Sequence, residues 1–248
     1  MSVAAVVAHA QALWAELAVV PVSFTPSRLH VVVSPRSLMC PAGWVGAVVL
    51  QGSAIATAPD TVVAEKVRAA GCQIPVAEVV DVERLRMVLS VAEVRGPAAL
   101  AYCSVELFRP VTVGVERFER VALQDGALGE FLASSGEVDR DESGLDEITS
   151  SAFVVRSAGV IASAAGYRVW PNRTAHVSVL TAPDRRGHGF ARVAASAAVE
   201  HALGQGLVPQ WRARSAESRR VAAALGFREL GAQLSFRLNP LLGEDQVR

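Results

Sequence analysis

The sequence predicts a mixed α/β chain, with strands and helices packed around apolar cores. Three observations lead there. Short apolar runs suited to strands alternate with segments whose apolar positions recur at helical spacing. The C-terminal half, residues 113–248, reads in the order β-α-β-β-β-α-β-α-β. Within it one strand, AHVSVLT, passes through a proline and two glycines straight into an alanine-rich helix. The length of 248 residues suits one large domain or two small ones. The FRPVTVG segment suggests a boundary, giving an N-terminal α/β domain over 1–112 and a second domain over 113–248.

In the N-terminal half, Val6, Val7, Ala10, Leu13, Trp14 and Leu17 share one face of an amphipathic helix. LHVVVSP and the run WVGAVVLQGSAIAT read as strands. A helix over 61–70 follows, with Gly71 as its C-cap, then the helix DVERLRMVL. In the C-terminal half, VERFERVAL reads as a strand through Val115, Phe118 and Val121, and QDGALGEFLASS as a short helix. The charged stretch GEVDRDESGLDE reads as a loop or an exposed helix end. SSAFVVRS and GVIASAAGYRVW form a hairpin about an Ala-Gly turn, and PNRT leads into AHVSVLT. A helix over 190–203, the strand LVPQWRA and the helix ESRRVAAAL before Gly226 come next. FRELGAQLSFRL closes the half as a strand pair or one bent strand.

Composition narrows the classes. With 51% apolar and 19% charged residues the chain is globular. Its 24 basic and 24 acidic side chains cancel, which argues against a general nucleic-acid binder. Cys40, Cys72 and Cys103 show no metal-ligand or CxxC spacing, so no metal and a reduced, cytoplasmic setting are expected. The first twenty residues lack the basic start of a signal peptide, and no apolar run is long enough for a membrane span.

The chemistry concentrates in VLTAPDRRGHGFA, residues 179–191. Arg186, Gly189 and Ala191 spell R-x-x-G-x-A between a strand and a helix. A helix start carries unpaired N–H groups and the positive end of the dipole. Glycines let a phosphate approach that backbone, and arginines add charge-assisted hydrogen bonds. About thirty residues on, SAESRRVAAALGFRELG places a helix before Leu-Gly-Phe. With both segments in place, residues from about 113 to 238 resemble a GCN5-related N-acetyltransferase (GNAT) domain. WRARSAES further resembles a subgroup that includes the zwittermicin-resistance acetyltransferases. The N-terminal half, which lacks R-x-x-G-x-A, permits either a degenerate GNAT-like copy or a lid over the acceptor site.

The resemblance implies acetyl-CoA as co-substrate and direct attack by an amine. Val179 and Thr181 would contact pantetheine. A backbone N–H near Val179 or Leu180 would polarise the thioester carbonyl. The amides from Arg186 through Gly187, His188, Gly189 and Phe190 to Ala191 would hold the pyrophosphate, helped by the Arg185 and Arg186 side chains. The tyrosine that the family often uses as an acid, five residues before Phe227, is Ala222 here, and its frequent asparagine is Ser215. Ser215 and Ser218 are the cofactor contacts left on that helix.

For the acceptor, Glu147 and His176 are candidates to orient or deprotonate an amine, with a solvated loop charge and a histidine that strand alternation points away from the cleft as the plain structural alternatives. Trp170 and Trp211 are candidate pocket walls, with core packing as the alternative. The expected function is acetyl transfer to the primary amine of a small molecule by a monomer or homodimer. The alternative, raised by Ala222, is a CoA-binding sensor or interaction module without catalysis.

Overall fold

The computed structural model describes residues 1–111 and 118–240. The expected domain boundary at 112/113 and Val115 lie outside the described residues.

The chain begins with helix α1 (Val3–Leu17), then β1 (Leu29–Val33), β2 (Val45–Leu50), β3 (Ser53–Ala58), α2 (Thr61–Gly71), α3 (Val82–Val88) and β4 (Val91–Tyr102). The apolar run 44–57, read as one strand, is a hairpin of β2 and β3. It turns at Gln51 and Gly52, both at positive φ, as a two-residue hairpin turn requires. Gly71 is the last helical residue of α2 rather than its C-cap; Cys72 caps the helix in a right-handed conformation, so no glycine is needed there.

After the undescribed segment come β5 (Glu119–Val121), α4 (Gly126–Ser134), α5 (Glu137–Ser143), a 3₁₀ turn at Leu145–Glu147, β6 (Ala152–Ser157), β7 (Val160–Trp170) and β8 (Thr174–Thr181). Then follow α6 (Phe190–Gly204), β9 (Val208–Ala213), α7 (Ala216–Ala224) and a single last strand β10 (Arg228–Leu238). The charged stretch 136–147 is thus helical for seven residues. Glu137 and Asp139 favour its positive N-terminal end, and Gly144 stops it at φ 59°.

The described residues form two compact units, Met1–Val6 with those between Ala99 and Leu230, and Val7–Ala98 with those from Gly231 to 240. The dividing points fall inside α1, β4 and β10. In the second unit the strand order is β1-β3-β2-β10. β1 runs parallel to β3, and β10 antiparallel to β2 from Gly231↔Leu50 to Phe236↔Val45. Val31, Val45, Ala64, Val67, Leu85 and Phe236 close its core.

In the first unit the order is β4-β9-β8-β7-β6-β5, and among the described residues only β8 and β9 are a parallel pair. The two β6–β7–β8 turns, at Ala158–Gly159 and Asn172–Arg173, have positive φ at both positions. α6 lies on one face because it is built from alanine, the strongest helix former and small enough to sit close to a sheet. Ala194, Ala195, Ala197, Ala198 and Ala202 are buried there with Phe153, Val177, Trp211 and Phe227. On the opposite face α4 buries Leu128 and Phe131 against Ile148, Val154, Ala164 and Leu180. Each large side chain buried in these layers stabilises the fold by about 1.5–3 kcal/mol. Gly226, of the Leu-Gly-Phe sequence, has φ 91°, and a Cβ there would run into the carbonyl of Leu107.

Candidate functional site

The junction between β8 and α6 holds the first part of the site. Ala182 leaves β8, Pro183–Arg185 make a single 3₁₀ turn, and Gly187 and Gly189 both adopt φ 81°. Gly189 is the N-cap of α6, and no side chain caps this helix. Its carbonyl already accepts from the N–H groups of Arg192 and Val193, at 3.1 and 3.2 Å. The amides ahead of that point, including Phe190 and Ala191, therefore have no intrahelical acceptor. A Cβ built on Gly187 or Gly189 would meet nothing within 4 Å, so the space beside this backbone is open. His188 Nδ1 lies 2.9 Å from the carbonyl of Arg186 and 3.2 Å from that of Arg185, and its ring stacks on Phe190. It pins the turn from within. Arg185 pairs with Asp184, and Arg186 Nη2 donates to Asp139 Oδ2 of α5 at 2.6 Å.

The second part is the edge of β8. Its parallel pairing with β9 runs only from Thr174↔Val208 to His176↔Gln210, and Val177–Thr181 continue without a partner in β9. On the other side β7 pairs all of β8, from Trp170↔Thr174 to Ser163↔Thr181. The same register continues into the bond from Ala182 N–H to the Ala162 carbonyl. Backbone groups alternate along an antiparallel ladder. Even-numbered residues of β8, Leu180 included, therefore turn their N–H and C=O towards β7. Val177, Val179 and Thr181 turn theirs towards the open edge. Of the expected strand contacts, Val179 and Thr181 thus face the opening, whereas the backbone of Leu180 is paired with β7 and its side chain is buried.

The third part lies where the β8–β9 pairing ends. Residues opposite one another in a ladder share a face, so Arg168, His176 and Gln210 line up on the face away from α6. His176 Nδ1 is 2.5 Å from Gln210 Oε1, and its ring stacks on Trp170 with centroids 4.1 Å apart. Arg212 lies over the other ring system of this group, 6.0 Å from the Trp170 centroid. Glu147, at the end of the 3₁₀ turn, accepts from Arg168 Nη1 at 2.7 Å. The fold thus collects Glu147, Trp170 and His176, three expected acceptor residues, into one cluster. Burial, followed by the repulsion of Arg212, pushes His176 down to about 3 against the opposing hydrogen bond to Gln210 Oε1. The imidazole is neutral at ordinary pH and a weak base. Burial and Arg214 also lower Arg212, while Glu147 opposes them. Gln210 Nε2 is buried without a hydrogen-bond partner among the described residues.

Three expected residues are placed elsewhere. Trp211, next to Arg212 on β9, points to the α6 face. It is 2% exposed, meets Phe227 edge-on and donates to Ser218 Oγ at 2.9 Å. Ser218 is therefore engaged by the core tryptophan. Ser215 is the N-cap of α7 and accepts from the Ser218 N–H at 3.2 Å. Ala222 is buried in the same apolar layer. Tyr167 is buried on the α6 face, with its hydroxyl 2.9 Å from His201 Nδ1.

Sequence reasoning passed over Arg168, Gln210, Arg214 and the acidic face of α5. Gln210, Arg212 and Arg214 alternate with Trp211 and Ala213, so strand periodicity marked them as one face. Among the described residues no group of three acidic, histidine or cysteine side chains could hold a metal ion, no cysteine is paired, and no helix is long and apolar enough to cross a membrane.

Comparison with known proteins places this geometry in context. Residues 151–232 match the model of the GNAT acetyltransferase family. No curated protein matches the sequence. Among solved structures, a GNAT-family acetyltransferase from Colwellia psychrerythraea is similar at 16% identity and a TM-score of 0.46, over 64% of this chain and 62% of that one. A GCN5-related N-acetyltransferase from Kribbella flavida is similar at 12% identity and a TM-score of 0.48, over 64% of each chain. A tandem GNAT protein from the clavulanic acid biosynthesis pathway is similar at 14% identity and a TM-score of 0.42, over 64% of this chain and 58% of that one. The chain spans less than two thirds of the length of each of these three proteins. The family match runs from the start of the β6–β7–β8 strands through the α6 junction and α7 into β10, so residues 151–232 are similar to the GNAT acetyltransferase family.

Proposed function

We propose that this chain is an acetyl-CoA-dependent N-acetyltransferase that acetylates the primary amine of a small molecule by direct attack in a ternary complex. One observation carries the reading: an uncapped helix start and a strand edge left open by its parallel neighbour meet at the carboxyl end of β8. A ligand with phosphates at one end and an amide-bearing arm at the other matches both. The open space beside Gly187 and Gly189 fits a phosphate approaching the backbone.

Bound acetyl-CoA would supply the acetyl thioester and a thiol leaving group that needs no strong side-chain acid, in keeping with Ala222. The amides of Gly187 to Ala191 would bind the pyrophosphate, with Arg185 and Arg186 adding charge. The backbone of Val177, Val179 and Thr181 would hold the arm and aim a Val179 N–H at the thioester carbonyl. Most of the acceleration would come from positioning. Glu147 is engaged with Arg168 and His176 is a weak base, so their role would be to orient the amine and pass its proton to water. The zero net charge supports a small acceptor over a nucleic acid.

Calorimetric titration of acetyl-CoA into the wild type and into Arg185→Ala with Arg186→Ala tests the reading. Micromolar binding that weakens at least tenfold in the variant is expected; absence of binding to the folded wild type would overturn it. The second reading, a CoA-binding module without catalysis, is favoured by Ala222 together with the engagement of Ser218 by Trp211. It predicts acetyl-CoA binding with no transfer to any member of a broad amine panel.

A further inference from the structure

Helix α5 is held in an unusual way. None of its residues is buried, and Val138 is 78% exposed, so apolar packing does not fix it. Its neighbour α4 is anchored by buried Leu128 and Phe131. What α5 has is two ion pairs. Asp139 accepts from Arg186 at 2.6 Å, and Glu142 Oε1 lies 3.5 Å from Arg214 Nε. Positions 139 and 142 lie on one face of the helix. Their partners sit on opposite lips of the same opening, because Arg186 follows β8 and Arg214 follows β9. The helix is bounded by Gly136 and by Gly144 at φ 59°, two places where the backbone turns readily. The four side chains are between 35% and 53% exposed, and surface pairs of this kind contribute little each.

We propose that α5 is a strap across the carboxyl end of the β8–β9 opening, held by the two arginines that flank it, and that phosphate groups entering the opening displace Asp139 and Glu142 and release it. The inference rests on the acetyl-CoA reading above and adds Arg214 to the phosphate-binding edge. The carboxylates engage the same arginines that phosphates would. Forked arginine–phosphate hydrogen bonds are stronger than exposed carboxylate pairs, so exchange favours the ligand. Release of α5 also frees the 3₁₀ turn that follows it and carries Glu147, which links the phosphate edge to the acceptor cluster.

The test uses the full chain, with acetyl-CoA and, separately, inorganic pyrophosphate as probes. Each is titrated calorimetrically into the wild type, Asp139→Asn with Glu142→Gln, and Arg214→Gln, while hydrogen exchange follows the α5 amides. The double variant is expected to bind both probes about threefold to tenfold more tightly at low salt, a gain that shrinks at about 0.5 M salt. In the wild type α5 should exchange faster with a probe bound; in the double variant it should exchange fast from the start. Arg214→Gln should free α5 and weaken acetyl-CoA binding. Binding to the wild type that is unchanged or weaker in the double variant, with α5 protection indifferent to ligand, would overturn the strap alone. No binding of acetyl-CoA to the wild type would overturn the acetyl-CoA reading and the strap together.

Discussion

Two strand-to-helix junctions in this chain start from similar parts and end differently. β3 enters α2 through Pro59 and Asp60; β8 enters α6 through Pro183 and the Gly187–Gly189 turn. At the first, Asp60 Oδ1 accepts from the Val63 N–H at 2.8 Å, so the helix start has its own anion. Its strand also has a closed parallel partner, with β1 and β3 paired from Leu29↔Ala54 to Val33↔Ala58. At the second, no side chain caps the helix, and the parallel partner parts from the strand at His176↔Gln210. One junction satisfies its own donors. The other keeps them available beside an open edge, and that is the difference between a turn and a candidate binding site.

The comparison can be broken most sharply by giving the second junction what the first one has. Gly189→Asp puts a carboxylate at the start of α6. Acetyl-CoA binding, measured by calorimetry, should weaken about 100-fold, or ~2.7 kcal/mol. An unchanged affinity would mean that the α6 amides hold no phosphate. Next in size is the conformational cost of the turn itself. Gly187→Ala meets no atom but demands φ 81° of an L-residue, and urea unfolding should show a loss of about 1–2 kcal/mol.

The reciprocal change, Asp60→Ala, removes the cap of α2. A loss of about 1 kcal/mol in stability is expected, with acetyl-CoA affinity untouched. A shared loss of affinity would show that the two junctions are not separate in function. The smallest effect near neutral pH concerns His176, at the last closed rung. Its pKa in the fold lies at about 3, below the ordinary 6.5. The unfolded chain therefore takes up the proton first. This contribution to stability is complete above pH 6.5 and is lost as the pH falls towards 3. Between pH 6.5 and 4 the wild type should lose stability more steeply than His176→Gln, and equal slopes in urea titrations would remove the argument.

Much of this was legible locally. R-x-x-G-x-A between a strand and a helix marked the junction, and the Ala-Gly pair at 158–159 marked a hairpin. Helix α6 followed from its alanines. Where reading failed, the missing information was the phase of a pattern or the capacity of a charged segment to fold. GEVDRDESGLDE read as a loop or an exposed helix end, because without an apolar face nothing in the pattern chooses between them; it folds as an exposed helix that buries nothing. PQWRAR alternates plainly, but its residues do not say which face is covered. Because α6 covers one side, Trp211 goes into the core and Arg212 joins Trp170 and His176.

The sequence alone determined the order of elements from β6 to β10, the α2 helix itself, and the glycine turn before α6. These are decided within a few residues, by backbone conformations that only glycine adopts easily and by apolar spacing. Tertiary structure alone decided that β9 leaves β8 after His176, that β10 pairs with β2, and that Arg168, Glu147 and His176 meet. The physical reason is range. A ladder register joins residues far apart in the chain, and it is fixed by which faces helices cover and which hydrogen-bonding edges find partners, quantities that no short stretch of sequence contains.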